Sequence, residues 1–177
     1  LELKLWKTLK KYRKGKIYGN ATIITYDENG KKISEYTGEV VDGKPNGKGV
    51  LITYSKDGKV LSKYTGNFKN GQPEGEGKLV VYDKDGKIKS EYTGTFKNGK
   101  FEGKGVLVEY NSKGRVISRY EGSFKNGEKD GEGTLSEYDD NGKLRSKYTG
   151  DFRGGRRHGQ GSLFVYDEKG VLIKKYL

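Results

Sequence analysis

A 28-residue period constrains this chain more than any other feature of it. Tyr36, Tyr64, Tyr92, Tyr120, Tyr148 and Tyr176 are each 28 positions apart, and so are Gly38, Gly66, Gly94, Gly122 and Gly150. Gly43, Gly71, Gly99, Gly127 and Gly155 keep the same step, as do the pairs Gly47/Gly49, Gly75/Gly77, Gly103/Gly105, Gly131/Gly133 and Gly159/Gly161. Identical units in register bury their apolar side only by stacking on their neighbours, so such a chain reads as one continuous array. The array spans 1–177, with repeats at 36–63, 64–91, 92–119, 120–147 and 148–175, a degenerate capping repeat at 1–35, and the start of a truncated repeat at 176–177.

The period also disposes of a nucleotide reading. In "YTGTFKNGKFEGKGVL" (92–107) the spacing Gly94-x4-Gly99-Lys100 comes near a phosphate-binding loop. That loop needs Ser or Thr after the Lys to hold a metal, and Phe101 stands there. A phosphate loop occurs once in a domain; here the same glycines recur in five copies, so they serve the fold, and no cofactor is expected.

Each repeat carries two turn signals. One is Asp42-Gly43, Asn70-Gly71, Asn98-Gly99 and Asn126-Gly127; the other is Asn29-Gly30, Asp57-Gly58, Asp85-Gly86 and Asn141-Gly142. Both are expected to supply the positive φ of a hairpin turn. The runs between them, such as "KIKSEYTGTF" (87–96) and "GKGVLVEY" (103–110), alternate and are rich in Tyr, Val, Ile and Thr, which predicts strands. The fold class is therefore all-β: an elongated, twisted antiparallel meander of about six hairpins, or about twelve strands. Alternation puts Tyr64, Gly66 and Phe68 on one face, together with Tyr92, Gly94 and Phe96, Tyr120, Gly122 and Phe124, and Tyr148, Gly150 and Phe152; Tyr36 and Gly38 begin the series, with Val40 in place of Phe. Tyr, Phe and a Leu row (Leu51, Leu79, Leu107, Leu135, Leu163) are expected to form three ladders, each stacking on its own copy, with glycines leaving room for rings. A second Tyr row (Tyr26, Tyr54, Tyr82, Tyr110, Tyr138, Tyr166) has the opposite parity; either it faces the other side or a bulge turns it.

Composition supports a thin fold. Only 31% of residues are hydrophobic and 34% are charged, yet 14 Tyr and 6 Phe argue against a disordered chain. With no Cys and one His, thiol chemistry, disulfides and His-cluster metal sites have no ligands to use. No apolar run approaches a bilayer span, and "LELKLWKTLKKYRKGK" is too charged for a secretory core, so the expected location is cytoplasmic, or peripheral at a membrane. The net charge of +12 raises the weight of anionic partners. The charge is uneven, however: 120–147 is net acidic and 64–91 is neutral, so no continuous basic stripe runs along the array.

The pattern Tyr-x-Gly-x-Phe-x-x-Gly-x-x-x-Gly-x-Gly, read at Tyr92, Gly94, Phe96, Gly99, Gly103 and Gly105, resembles the MORN repeat (membrane occupation and recognition nexus). It recurs from Tyr36, Tyr64, Tyr120 and Tyr148, and a degenerate copy covers Tyr12 to Tyr26. The family's usual repeat is shorter than 28 residues; the extra length falls around "YDKDGKIKSE" (82–91), so longer hairpins are expected at that end. The resemblance implies a twisted antiparallel sheet used for protein–protein contact, self-association or membrane-associated scaffolding, without catalytic chemistry of its own.

Candidate binding residues are few. Arg153, Arg156 and Arg157 form the sharpest basic cluster, suited to an acidic partner or a lipid headgroup. Phe101 is apolar in a loop that elsewhere carries Pro73-Glu74 or Lys129-Asp130; it either packs locally or is a contact anchor. His158 reads as a solvated turn residue. Lys7, Lys10, Lys11, Arg13 and Lys14 form a second basic cluster. Residues 1–14 fit either an atypical capping strand, with Trp6 and Tyr12 on the core face, or an amphipathic helix; the strand is favoured because a terminal repeat must cover an open end. Lys174 and Lys175 discourage edge pairing of the last strand. The expected function is a non-enzymatic scaffold for a protein partner, self-association included. The rivals are an anionic-membrane adaptor and a nucleic-acid-binding sheet, the latter disfavoured because the rings are spent in ladders. The absence of Met and Cys, a first residue of Leu and a constant period would equally suit an engineered scaffold without a biological partner.

Overall fold

The computed structural model describes residues 4–6, 11–13 and 16–177, with side chains from Ile17 onward. Fourteen strands are described: β1 (Lys4–Trp6), β2 (Lys11–Arg13), β3 (Lys16–Tyr26), β4 (Lys32–Val41), β5 (Lys44–Tyr54), β6 (Val60–Lys69), β7 (Gln72–Tyr82), β8 (Ile88–Lys97), β9 (Lys100–Tyr110), β10 (Val116–Lys125), β11 (Glu128–Tyr138), β12 (Leu144–Arg153), β13 (Arg156–Tyr166) and β14 (Leu172–Tyr176). From β3 to β14 each strand pairs antiparallel with the next in sequence, giving one open meander, all-β, with no helix among the described residues. β1 pairs with Thr22–Ile24 and β2 with Lys16–Tyr18, both along the edge of β3 that β4 does not occupy. They are two pieces of one edge position, which takes the count past the expected twelve. The backbone at 4–6 and 11–13 is thus strand. The expected placement of Trp6 and Tyr12 on the core face, and the cluster residues Lys7, Lys10 and Lys14, lie outside the described residues and side chains.

The two turn rows are chemically different. At one end of the hairpins, Asn98 (φ 50°) and Gly99 (φ 77°) both sit in the left-handed region, as do Asp42–Gly43, Asn70–Gly71 and Asn126–Gly127; Gly154–Gly155 closes the last full repeat in the same way. This two-residue turn matches the right-handed twist of its strands. At the other end, only the Gly is left-handed. There the Asp83 amide donates to the Lys87 carbonyl (2.8 Å) and the Gly86 amide to the Asp83 carbonyl (3.0 Å), while Asp83 Oδ1 accepts from the amides of Asp85 and Lys87. This is a three-residue loop led by an Asx turn. The expectation that Asn-Gly and Asp-Gly provide positive φ thus holds at both ends through the glycine, but here the Asn or Asp beside it is not left-handed. The side chain that leads the turn stands three places before the Gly, Asn111 ahead of Lys113-Gly114 and Asp167 ahead of Lys169-Gly170, which is why these turn equally well.

The second Tyr row resolves into both alternatives at once. The register slips between Val81 and Tyr82, leaving Lys89 of β8 unpaired, so the bulge lies in the neighbouring strand. Tyr82 keeps its own alternation and faces the reverse side. Tyr110 does the same, its hydroxyl donating to Glu91 Oε2 at 2.9 Å.

The core is one row on one face: Tyr36, Val40, Tyr64, Phe68, Tyr92, Phe96, Tyr120, Phe124, Tyr148 and Phe152 are all buried. Like does not stack on like. Tyr36 meets Phe68 edge-to-face, Phe68 meets Tyr64, Tyr64 meets Phe96, and so on to Phe152 and Tyr148, with centroids 4.9–5.2 Å apart. The expected separate Tyr and Phe ladders are thus a single zigzag, because ring edges carry positive and ring faces negative charge density, so perpendicular packing beats a face-to-face sandwich. The Leu row is its partly buried flank, with only Leu135 counted among the buried core.

Candidate functional site

The aromatic face is built from glycine upward. Tyr92 lies flat across its own hairpin, and a Cβ on Gly105 would meet its ring at 2.5–2.6 Å. Gly94 has a different reason to be glycine: a Cβ there would meet the Cα of Gly105 at 2.6 Å, so it permits backbone approach, where the sequence suggested room for a ring. The Tyr92 hydroxyl donates to the Thr95 carbonyl at 2.8 Å, and Tyr36, Tyr64, Tyr120 and Tyr148 repeat this bond to the residue three ahead. Burial pushes the hydroxyls of Tyr36, Tyr64, Tyr92 and Tyr120 up to about 12, so they stay protonated donors.

One position per repeat, paired across the hairpin with Val40, Phe68, Phe96, Phe124 or Phe152, varies: Pro45, Pro73, Phe101, Lys129 and Arg157. Phe101 stacks on Tyr92 with centroids 3.8 Å apart and planes 6° from parallel, and meets Phe96 and Phe124 edge-on at 5.6 Å. It packs locally and does not project as an anchor. Lys129 Nζ lies 5.6 Å above the Tyr120 ring and the Arg157 guanidinium 5.1 Å from that of Tyr148. Arg157 also sits 3.8 Å from Glu137. The structure therefore divides the arginine cluster: Arg157 is turned onto the core, while Arg153 and Arg156 face each other across the Gly154–Gly155 turn, exposed and without an ion pair among the described residues.

Both turn rows are laced from repeat to repeat. The Gly99 amide donates to the Pro73 carbonyl at 3.0 Å and the Asn98 amide to Glu74 Oε2 at 2.8 Å. The amides that a phosphate would need between Gly94 and Lys100 are thus partly spent on the fold. Glu102 and Asp130 cap the following turns in the same manner; His158 holds the equivalent place in the last full repeat and is exposed. At the other end Lys59 Nζ donates to the Lys84 carbonyl (2.8 Å), Lys87 to Ser112 (2.8 Å) and Arg115 to Asp140 (3.2 Å). Sequence reasoning missed this lacing, although its signal, a cation directly after the turn glycine at 31, 59, 87, 115 and 143, is regular.

The reverse face carries what the core does not use. A groove of ≈ 1030 Å³ crosses it from Glu76 to Gly161. Its floor is small: Thr93, Val106, Thr134, Thr149 and glycine backbone, with Glu121, Glu132 and Asp151 against Lys104 on its sides. Towards the bulged ends lie the second-row tyrosines with their own charges. Lys32 pairs with Glu35 at 2.9 Å and covers the Tyr54 ring at 4.4 Å, and Glu35 holds its ammonium above the usual range. Burial, then the Glu91 carboxylate, raises the Tyr110 hydroxyl. Among the described residues no group of three or more His, Cys, Asp or Glu could hold a metal ion, and no helix is long and apolar enough to cross a membrane.

A family model described as MORN repeat matches residues 36–57, 64–85, 92–108, 120–136 and 148–164, and one described as MORN repeat variant matches 75–98 and 131–150. The chain belongs to the MORN repeat family. The three shorter MORN matches stop before the three-residue loop, where the extra length of this repeat lies. No curated protein matches the chain. MORN repeats occur in proteins that contact other proteins and membranes, and the family is generally non-enzymatic.

Proposed function

We propose that this MORN array is a non-catalytic scaffold that binds a protein partner across its reverse face. The observation that carries this is the division of labour between the faces. The rings of the aromatic face are consumed by the zigzag and the row paired with it, whereas the reverse face keeps an open groove across several repeats, floored by small residues and edged by charges of both signs. A protein segment suits such a surface, because a mostly acidic edge, Glu76, Glu121, Glu132 and Asp151 against Lys104, selects a basic partner and sets its register while the floor admits side chains. A Thr93→Arg/Thr149→Arg variant would fill the floor at two exposed positions. In affinity capture at two salt concentrations, the parent should retain a protein at high salt that this variant loses. Equal capture by both would remove the groove from the reading.

One observation favours anionic lipid as a second reading: Arg153 and Arg156 stand exposed at a single hairpin tip. Vesicles containing phosphatidylserine should bind the parent at low salt and bind Arg153→Gln/Arg156→Gln less. No vesicle binding and no captured protein would leave the engineered scaffold as the remaining account.

A further inference from the structure

The repeats do not decorate the reverse face alike, and one place carries lysine at both of two variable positions, Lys63 and Lys84. A notch of ≈ 720 Å³ opens between two neighbouring three-residue loops, with Ile52, Val60 and Tyr82 as its floor and Lys59, Lys63 and Lys84 around it. Asp85 is the one acid lining it. The repeat before and the repeat after hold a glutamate where Lys63 stands: Glu35, paired with Lys32, and Glu91, which accepts from Tyr110 and lies 3.6 Å from Lys78. At the notch this carboxylate is replaced by a cation. Lys63 and Lys84 are exposed and make no ion pair among the described residues, and Lys59 is fixed by its bond to the Lys84 carbonyl.

We infer that this notch is a binding site for an acidic protein segment bearing a large apolar side chain. The apolar floor takes the side chain, and the lysines take the carboxylates that flank it. Charge complementarity points to the acidic flanks. The shape points to a protein in preference to a small anionic amphiphile: small-molecule sites enclose most of their ligand, whereas Val60 is 38% exposed and all three lysines lie in the open. A notch with an apolar base is the form a partner's anchor residue uses, with the rest of the segment excluding water around it. The notch shares the face assigned above to partner binding but uses different residues from the groove, so either site can fail while the other stands.

The test uses the full chain and a capped hexapeptide, Glu-Glu-Leu-Phe-Glu-Glu, followed by amide chemical shifts in solution. Saturable shifts confined to the neighbourhood of Ile52, Val60, Lys63 and Tyr82 are expected. The Lys63→Glu variant should weaken binding by about tenfold while folding normally, since it restores the residue type of the adjacent repeats; Lys147→Glu, at the equivalent position in a later repeat, should change nothing. The proposal is overturned if the peptide produces no saturable shifts at the notch, if Lys63→Glu binds as well as the parent, or if Lys-Lys-Leu-Phe-Lys-Lys binds equally. It is also overturned if decanoate shifts these amides where the peptide does not, which would assign the notch to an amphiphile.

Discussion

The two faces of this sheet are made of the same strands and obey different rules. On the aromatic face Tyr36, Tyr64, Tyr92, Tyr120 and Tyr148 recur without exception, and each makes the same hydroxyl bond. On the reverse face the position one residue earlier carries either sign: Glu35, Lys63, Glu91, Arg119 and Lys147. The first face has no freedom, because a ring laid on glycine backbone leaves no slack for a different residue. The second meets solvent, so its charges cost little to exchange and can record what a partner requires. In a repeat protein, departure from the period is therefore a better guide to function than the period itself.

The comparison breaks most visibly at its most buried point. Tyr120 is 0% exposed and packs edge-to-face with both Phe124 and Phe152. Tyr120→Ala should cost about 3–5 kcal/mol in chemical denaturation, the range for a large ring removed from a packed site. A cost below about 1 kcal/mol would mean the zigzag does not hold the array together.

Next in size are the glycines under the rings. Gly105→Val would force branched carbons into the Tyr92 ring and should cost about 1–3 kcal/mol or more. Gly94→Val should cost at least as much, since the obstacle is the backbone of β9, which cannot rotate away. Gly86, by contrast, has open space around a built Cβ, so Gly86→Ala should cost only what its left-handed φ of 78° imposes, about 1–2 kcal/mol. Equal losses at all three would show that conformation, not packing, sets the requirement at every glycine.

How much of this was legible in the sequence follows from the same distinction. The hairpins, their antiparallel order and the identity of the buried residues could be read because Tyr, Gly and Phe repeat with strand parity, and parity fixes the face. The zigzag could not, since parity says which rings share a face and nothing about their tilt. Phe101 was left open because it depends on how the returning strand bends at its bulge near Gly103, a three-dimensional property. The groove and the notch were missed because they arise from residues in different repeats, brought together by the sheet. The signal for the notch was present nonetheless, in Lys63 standing where its neighbours carry Glu.

Alkaline pH separates the faces with a smaller effect. Tyr36, Tyr64, Tyr92 and Tyr120 are raised from 10.0 to about 12 by burial. Between those two values the unfolded chain has lost protons that the folded chain keeps, so stability falls as pH rises through this window and is fully retained below it. Tyr120→Phe should lose about 1 kcal/mol near neutral pH, through its bond to the Ser123 carbonyl. Above pH 10, however, it should lose stability less steeply than the parent, having one fewer group to ionise. Identical alkaline slopes would show that the buried ring does not hold its proton through folding.

The smallest expected change in stability carries the sharpest test of the reverse face. Glu91 accepts from Tyr110 and neighbours Lys78, both across partly exposed surface. Glu91→Lys removes these contacts and should cost about 0.2–1 kcal/mol, the usual range for exposed pairs. It also places in the next repeat the cation that Lys63 supplies at the notch, above Val80, Ile88 and Tyr110, which occupy the positions of Ile52, Val60 and Tyr82. If an unpaired cation above such an apolar floor is what creates a site, the variant should bind the acidic hexapeptide at two places, with new amide shifts around Ile88 and Tyr110. If the second site does not appear while the first remains, the single lysine is insufficient and Lys84 is the residue to exchange next, because the following repeat carries Ser112 in its place. A loss of several kcal/mol would contradict the comparison itself, since it would make the reverse face as intolerant of substitution as the aromatic one.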